Sequence, residues 1–351
     1  MKKKKTNLKD SIGIDIGENS IKIVRLKSTG HGINLQNYGF FPTPQGAIER
    51  GSIVNAPLLE EALSECLQDA KIRKGRGVLG ISGKDVVVRI AEFPIMTQAE
   101  LKEAVGWDLT QYISYSLDEA VYDYYVLGTK DENTGERLKL LVAAAPLELV
   151  NSYIRILSSL GITLIAIDIK PSALIRLFSH EDIQSKGVYV VMDVGSATTS
   201  IVILKDGDFA FSRDVLLGGR DFTSAISRDF SISLEEAEHL KKGIDSHPEK
   251  EKLYSSITSV MDEFVLEVTR SLNYFRENIE NVQVFNKLLL TGGGSKLSGF
   301  SNYLESGIGI KVEELDPLSD IQYGTEIEGI RELKDFFGVA IGLAKRGFEG
   351  D

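Results

Sequence analysis

The sequence predicts an α/β protein made of two lobes of similar construction. A short apolar run that ends in an aspartate and is followed two residues later by a glycine occurs twice, at Asp15 and at Asp193. Further apolar strand patterns follow each run, so residues 12–41 and 188–214 form a weak internal repeat. A third glycine-rich turn, residues 292–294, also follows an apolar run.

The first lobe begins with a predicted hairpin over residues 11–26. Apolar residues alternate on both sides of its turn, as in half-buried strands. The same reasoning predicts a strand over 34–41, a helix over 58–71 with apolar residues at helical spacing, and a strand over 76–82.

An α+β module is predicted inside this lobe. Thr97 and Glu100 have the spacing of a capping box and begin a helix that runs to about residue 113. The remaining elements give a β-α-β-β-α-β order: strands over 86–90, 121–127, 138–145 and 162–167, and a second helix over 148–160. A short helix over 171–178 leads out of the lobe.

The second lobe repeats the hairpin and adds helices. An Asp206-Gly207 turn joins two of its strands. Helices are predicted over 221–230, 233–243, 257–278 and 336–346. The predicted division is 10–83 with 168–186 for the first lobe, 84–167 for the inserted module, 187–220 with 279–348 for the second lobe, and 221–278 for a helical subdomain.

Composition excludes several classes of protein. The 351 residues carry a net charge of −11, which argues against a nucleic-acid partner. The one cysteine, Cys66, allows neither a disulfide framework nor a zinc site. No apolar run approaches the length of a membrane span, and the basic run 2–5 has no apolar stretch behind it, so we expect a cytoplasmic protein. The basic run is interpreted as a solvated tail, with weak attraction to anionic lipid as the alternative.

The three glycine-rich turns predict a site for a metal and a phosphate chain. Mg²⁺ usually keeps several waters and takes one or two carboxylates, which Asp15 and Asp193 can supply. Glycine lets backbone N–H groups approach phosphate oxygens. One such turn alone is usually only a tight connection, and the prediction rests on all three occurring together.

These turns resemble those of the actin, Hsp70 and sugar-kinase superfamily. Residues 15–22 resemble its first phosphate loop, 193–199 its second and 291–295 its adenosine loop. Within the superfamily, the chain resembles the PilM family of type IV pilus assembly proteins over about residues 10–348, and FtsA more distantly. The stretches that carry this resemblance are 11–17, 88–94, 101–111 with Glu103 and Trp107, 166–176 and 340–344.

The resemblance implies two RNase-H-like lobes around a nucleotide cleft, with an inserted subdomain as in FtsA and PilM, and ATP with Mg²⁺ as the ligand. It implies that Asp15 and Asp193 hold the metal as the catalytic carboxylates, and that Asp168 or Asp193 orients water through Mg²⁺. The residues expected to contact nucleotide are Gly17, Asn19, Ser20, Lys22, Gly195, Ser196, Ala197, Thr198, Glu238, Lys241, Gly292, Gly293, Gly294 and Ser295. An outward-pointing Lys22 and a merely solvated helix over 235–242 are the alternatives. Asp15 is expected at the surface of the cleft.

The resemblance also implies a role. Actin positions its attacking water with a glutamine, and none occurs in 168–172, so the chain is expected to be at most a slow ATPase acting as a switch. The expected partners are the cytoplasmic N-terminal peptide of a single-pass membrane protein like PilN and the pilus assembly ATPases. The peptide is expected in a groove between the first lobe and the inserted module, which residues 86–90 and the helix over 101–113 line or support. Membrane contact is expected only through that partner. A filament-forming protein like FtsA or MreB is the alternative, and a small-molecule kinase is a further one.

Overall fold

The computed structural model describes residues 9–132, 135–178, 186–279, 282, 284–327 and 329–349, so the basic run 2–5 lies outside the described residues. The chain divides into two compact units. Unit 1 comprises residues 1–177, 320–331 and 339–351, and unit 2 comprises 178–319 and 332–338.

The described strands are β1 (Asp10–Ile16), β2 (Ser20–Thr29), β3 (Gly32–Pro42), β4 (Ile48–Glu49), β5 (Ser52–Ile53), β6 (Gly75–Ile81), β7 (Val87–Pro94), β8 (Ala120–Glu132), β9 (Gly135–Pro146), β10 (Ile162–Ile169), β11 (Val188–Val194), β12 (Thr199–Lys205), β13 (Asp208–Val215), β14 (Lys287–Thr291), β15 (Val312–Glu314) and β16 (Ile321–Gln322). The described α-helices are α1 (Ala56–Asp69), α2 (Gln98–Leu109), α3 (Leu147–Ser159), α4 (Lys170–Ile175), α5 (Gly219–Phe230), α6 (Leu234–Lys242), α7 (Lys250–Asn278), α8 (Phe300–Ile308), α9 (Ile330–Leu333) and α10 (Gly338–Arg346).

The main sheet of unit 1 has six strands in the order β10-β6-β1-β2-β3-β16. Alternate residues of β1, such as Ile12 and Ile14, are fully buried in a core shared with α1 and α3. The opposite face of β1 carries α10 at very short range. A Cβ on Gly13 would lie 1.9 Å from the carbonyl oxygen of Ala340, so only glycine lets the helix lie directly on the strand.

The inserted module is a three-stranded antiparallel sheet, β7-β9-β8, with α2 on one face. The predicted capping box at Thr97 and Glu100 is present. The structure divides this region differently from the predicted 84–167 module. Strand β10 pairs in parallel with β6 of the main sheet, and α3 packs into the main core. The three-stranded sheet and α2 therefore form a module over residues 87–146 only.

The C-terminal part of the chain also differs from the predicted division, which placed 279–348 in the second lobe. Strand β16 pairs in parallel with β3 of unit 1. Helix α10 packs against α4, where a Cβ on Gly342 would lie 1.9 Å from the carbonyl oxygen of Ala173. These backbone contacts place 320–331 and 339–351 in unit 1.

Unit 2 is built on a five-stranded sheet in the order β13-β12-β11-β14-β15. Asp206 and Gly207 both have positive φ, at 54° and 87°, as the predicted tight hairpin turn requires. Helices α5, α7 and α8 meet in a core of stacked and edge-on rings contributed by Phe222, Phe264 and Phe300. Helix α7 begins seven residues before its predicted start, because Leu253 extends its buried stripe. In the described part of the chain, the helices are too short or too polar to cross a membrane.

Candidate functional site

The first candidate loop is the turn between β1 and β2. The Gly17 N–H donates to the Ser20 carbonyl oxygen at 3.0 Å and closes the turn. Thr43 holds it from outside, with its Oγ1 donating to the Gly17 carbonyl at 2.7 Å and its N–H donating to the Asn19 carbonyl at 3.1 Å. The Gly17 N–H is already used within the turn. A Cβ built on Gly17 would lie 3.1 Å from Lys22 Nζ, so the glycine leaves room for the end of the Lys22 side chain.

Asp15 and Lys22 form an ion pair at the base of this turn. Lys22 Nζ lies 3.0 Å from Asp15 Oδ2 and 3.1 Å from the Ser20 carbonyl oxygen. This excludes the alternative of an outward-pointing lysine. Asp15 is only 5% exposed, in contrast to the surface position expected from the sequence. Burial raises the pKa of Asp15, but Lys22 and Lys170 outweigh it and hold that pKa below its ordinary value.

Lys170 is a neighbour of Asp15 that sequence reasoning missed. Asp168, Gly80 and Asp15 pair across β10, β6 and β1, so the ends of these strands lie at one edge of the sheet. Lys170 follows two residues after Asp168, at the start of α4. The sequence could have indicated Lys170, because a lysine stands in the segment 168–172, where the resemblance to actin would place a water-positioning glutamine.

Asp168 has a structural partner. Its Oδ2 accepts a hydrogen bond from Arg176 Nη1 at 2.8 Å, and its Oδ1 accepts from the Ile169 N–H. Arg176 also binds Glu349 beyond α10. The carboxylate of Asp168 therefore joins β10 to α4 and the chain end, which argues against the water-orienting role considered for it.

The second candidate loop, between β11 and β12 in unit 2, repeats the geometry of the first. The Gly195 N–H donates to the Thr198 carbonyl oxygen at 3.0 Å, the same closure that Gly17 makes with Ser20. The carbonyl oxygens of Gly195 and Ser196 accept from the Gly219 and Arg220 N–H groups at 2.9 and 2.8 Å. The turn is thereby fixed to the start of α5.

Unit 2 brings several glycines against this turn and Asp193. Gly292 has φ 90°, and a Cβ there would lie 2.6 Å from Asp193 Oδ1. A Cβ on Gly294 would lie 2.5 Å from Val194 Cγ1, and one on Gly218 would lie 2.4 Å from the Ser196 carbonyl oxygen. The third turn thus contacts the second. Gly218 was not among the expected residues, although the glycine pair at 218–219 was a usable signal.

Glu238 and Lys241 form a small network beside the glycines. Lys241 Nζ donates to the Gly219 carbonyl at 2.9 Å and lies 2.6 Å from Glu238 Oε2, which also accepts from Thr223 Oγ1 at 2.6 Å. Burial raises the pKa of Glu238, and hydrogen bonds from Lys241 and Thr223 lower it below its ordinary value. The Lys241 side chain is 14% exposed, so this part of α6 is not merely a solvated face.

An aromatic ring also lies in this region of unit 2. A Cβ on Gly293 would lie 2.2 Å from Phe336 Cε1, so the ring rests directly on the third turn. The Gly292 N–H donates to the Asp335 carbonyl at 3.0 Å, and Ser295 Oγ donates to the Gly292 carbonyl at 2.6 Å. The third turn is therefore rigidly held, and Phe336 is a second residue that sequence reasoning missed.

The donor set is compatible with Mg²⁺ but does not form a complete protein cage. Among the described residues, no group of three or more histidine, cysteine, aspartate or glutamate side chains is placed to hold a metal. Mg²⁺ needs only one or two carboxylates when waters and phosphate oxygens fill its shell. A buried Asp15 that stays ionised fits that requirement.

One comparison decides the family. The model of the family described as type IV pilus assembly protein PilM matches residues 13–348. The chain belongs to the PilM family. The fold and the resemblance predicted from the sequence are confirmed.

Comparisons with individual proteins agree with this assignment. A solved PilM-PilN type IV pilus biogenesis complex is 30% identical, with a TM-score of 0.86 over 98% of this chain and 100% of that one. MreB5 of Spiroplasma citri bound to AMPPNP shares the fold, with a TM-score of 0.54 and 12% identity over 96% of this chain and 95% of its own. The cell division protein FtsA of Bacillus subtilis is 22% identical over 253 residues, which are 66% of this chain and 57% of FtsA. The chain thus spans little more than half the length of that relative.

Proposed function

We propose that this PilM-family chain is an ATP-binding, actin-like scaffold of type IV pilus assembly. It docks the cytoplasmic N-terminal segment of a PilN-like membrane protein, which keeps it at the inner membrane, and links that protein to the assembly ATPases. The observation that carries nucleotide binding is the pair of identical turn closures, at Gly17 and Gly195, each next to a strand-end aspartate. MreB5, with the same fold, has been solved with AMPPNP bound.

Each part of the proposed site has a separate task. In unit 1, Asn19 and Ser20 contact the phosphates, with Lys22 supplying positive charge beside the space left by Gly17. In unit 2, residues 195–198 contact the phosphates from their own turn. The adenosine is held by the third turn with Ser295, and by Glu238 and Lys241. Bound Mg²⁺ would neutralise phosphate charge, and each unit offers one strand-end carboxylate that could hold a water of its shell, Asp15 in unit 1 and Asp193 in unit 2.

Calorimetric titration with Mg-ATP tests the nucleotide proposal. The Asp15→Asn variant keeps the size of the side chain but removes the charge that pairs with Lys22. We expect it to weaken Mg-ATP binding by about tenfold or more, the loss of one charge-assisted contact. Asp108→Asn, on the inserted module, is the matched control. Equal affinity of the wild type and Asp15→Asn would remove Asp15 from the site, and no binding by the wild type would end the proposal.

The partner proposal rests on the face of the inserted sheet that is turned away from α2. Helix α2 packs on the face that carries Ala91 and Val142, so it supports the sheet. The register places Ile90, Leu141 and Tyr125 in one row on the opposite face, where Leu141 is buried and Tyr125 is 58% exposed. Apolar side chains of an extended peptide can contact such a row, while strand edges supply backbone pairing.

Fluorescence anisotropy of a labelled peptide from the cytoplasmic start of a PilN-like protein tests this surface. We expect Tyr125→Ala to weaken binding by about tenfold, or about 1.4 kcal/mol. Trp107→Ala removes another exposed aromatic side chain, on α2, and should leave binding unchanged. Failure of the peptide to bind wild-type protein, together with ATP-dependent filaments in pelleting assays, would favour the FtsA-like or MreB-like alternative.

A further inference from the structure

The two-stranded hairpin β4-β5 lies beside the first phosphate turn. Its tip, Arg50-Gly51, has positive φ at both residues, 50° and 82°, and reverses the chain tightly. The Arg50 N–H donates to Glu18 Oε1 at 2.6 Å. Glu18 is the residue that follows Gly17 in the phosphate turn, so the tip is fixed to that turn by a charge-assisted hydrogen bond.

The other side of the same tip contacts the connection from β6 to β7, where the chain enters the inserted module. The Lys84 N–H donates to the Arg50 carbonyl oxygen at 3.2 Å. A Cβ on Gly51 would lie 2.1 Å from the Ser82 carbonyl oxygen, and a Cβ on Gly83, where φ is 141°, would lie 2.6 Å from the Arg50 carbonyl oxygen. Backbone therefore packs on backbone with no flexible side chain between them.

We infer that the Arg50-Gly51 tip transmits the state of the first phosphate turn to the inserted module. The contacts run without interruption from Glu18 through Arg50 to Lys84, all within unit 1. A nucleotide that shifts the phosphate turn moves the tip, and the tip moves the start of β7. This inference rests on the proposed function and adds a route by which ATP changes the peptide-binding face. Such coupling requires that nucleotide favour one of two arrangements of the module.

Hydrogen–deuterium exchange with and without Mg-AMPPNP tests the relay in the full chain. In the wild type, we expect nucleotide to slow exchange at residues 17–22 and, by about fivefold or more, at residues 84–94. In Glu18→Ala, protection at 17–22 should remain and the effect at 84–94 should be lost. Glu18→Gln keeps a side-chain oxygen that can accept the Arg50 N–H and should restore the effect.

Two further variants keep the outcome clear. Glu49→Ala removes the same charge from an exposed position one residue before the tip and should behave as the wild type. Gly83→Ala disturbs the tip from the opposite side and should also uncouple 84–94. The relay is wrong if Glu18→Ala retains the full wild-type effect, or if the wild type shows protection at 17–22 and none at 84–94. Absence of any protection at 17–22 in the wild type would contradict ATP binding itself, and the relay with it.

Discussion

At the scale of single residues, two ammonium groups act on the buried carboxylate of Asp15 beside the first phosphate turn. Asp15 pairs with Lys22, and Lys170 adds a second ammonium group whose charge also acts on Asp15. An ammonium group binds phosphate oxygens as a compact point charge, so Lys22 and Lys170 are the groups of this turn that suit a polyphosphate. Lys170 stands in the segment 168–172, where the resemblance to actin would place a water-positioning glutamine, and we expect a lysine there to bind the terminal phosphate rather than to orient water.

Replacing Lys170 by alanine should therefore change the preference between nucleotides. We expect Lys170→Ala to weaken ATP binding by about tenfold and ADP binding by less, since only ATP carries the terminal phosphate. Calorimetry with both nucleotides measures the ratio, and Lys74→Ala, an exposed lysine of the same unit, is the control. An unchanged ratio of ATP to ADP affinity would mean that Lys170 does not contact the terminal phosphate.

At the scale of elements, close backbone packing fixes where helices lie on the sheets. Helix α10 rests on β1 at Gly13 and on α4 at Gly342, where any larger side chain would overlap carbonyl oxygens. Parallel pairing of β10 with β6 then brings Asp168 and the start of α4 to the same edge as Asp15. Gly13 and Gly342 are therefore required by the close packing of backbones.

Gly13→Ala should destabilise unit 1. The added Cβ would meet the Ala340 carbonyl oxygen, and the shift needed to relieve that overlap should cost about 1–3 kcal/mol of unfolding free energy. Gly30→Ala is the control, because nothing lies within 4 Å of a Cβ built there. Urea unfolding of the three proteins gives the comparison, and equal destabilisation by the two substitutions would show that the α10 contact is not the cause.

The pairing of β14 with β15 should show a dependence on acidity. Lys287 and Lys311 hold the pKa of Glu313 at about 2, below its ordinary 4.5. A depressed carboxyl pKa stabilises the folded state above pH 4.5, and the gain is lost as pH falls towards 2. The gain is small because the side chain is 35% exposed.

Urea unfolding at pH 5 and at pH 3 checks this prediction in the wild type and in Glu313→Gln. The difference in unfolding free energy between the two proteins should shrink at the lower pH. Glu314→Gln removes the same charge one residue further along and serves as the control. If the difference in unfolding free energy instead grows from pH 5 to pH 3, the ionised Glu313 carboxylate does not stabilise the folded state as expected.

At the scale of the whole molecule, the chain has the fold of an actin-like ATPase. Residues 168–172, where the resemblance to actin would place a water-positioning glutamine, contain none. Phosphoryl transfer depends on orienting the attacking water, and Asp168 is committed to Arg176. Wild-type protein with Mg-ATP should release phosphate at well below the 1–10³ s⁻¹ typical of enzymes. Phosphate release measured over hours gives the rate, and fast turnover with a sugar acceptor would support the kinase alternative.

The sequence by itself determined the local elements and the chemistry at the strand ends. Alternation predicted β1 and β2, and capping-box spacing predicted that α2 begins directly after Thr97. These features depend on the types of residues that lie within a few positions of one another, and the sequence gives those directly. The positions of the three glycine-rich turns, each directly after a strand, were predictable for the same reason.

Only the tertiary structure decided which distant segments meet. It assigned β10 to the main sheet, placed β16 beside β3, and brought Lys170 towards Asp15 and Phe336 onto Gly293. Backbone hydrogen bonds between strands do not depend on which side chains the strands carry. The alternation that predicts a strand therefore does not predict which distant strand it pairs with. The close approach of two backbones is likewise a property of the pair, and a single glycine does not reveal what lies against it.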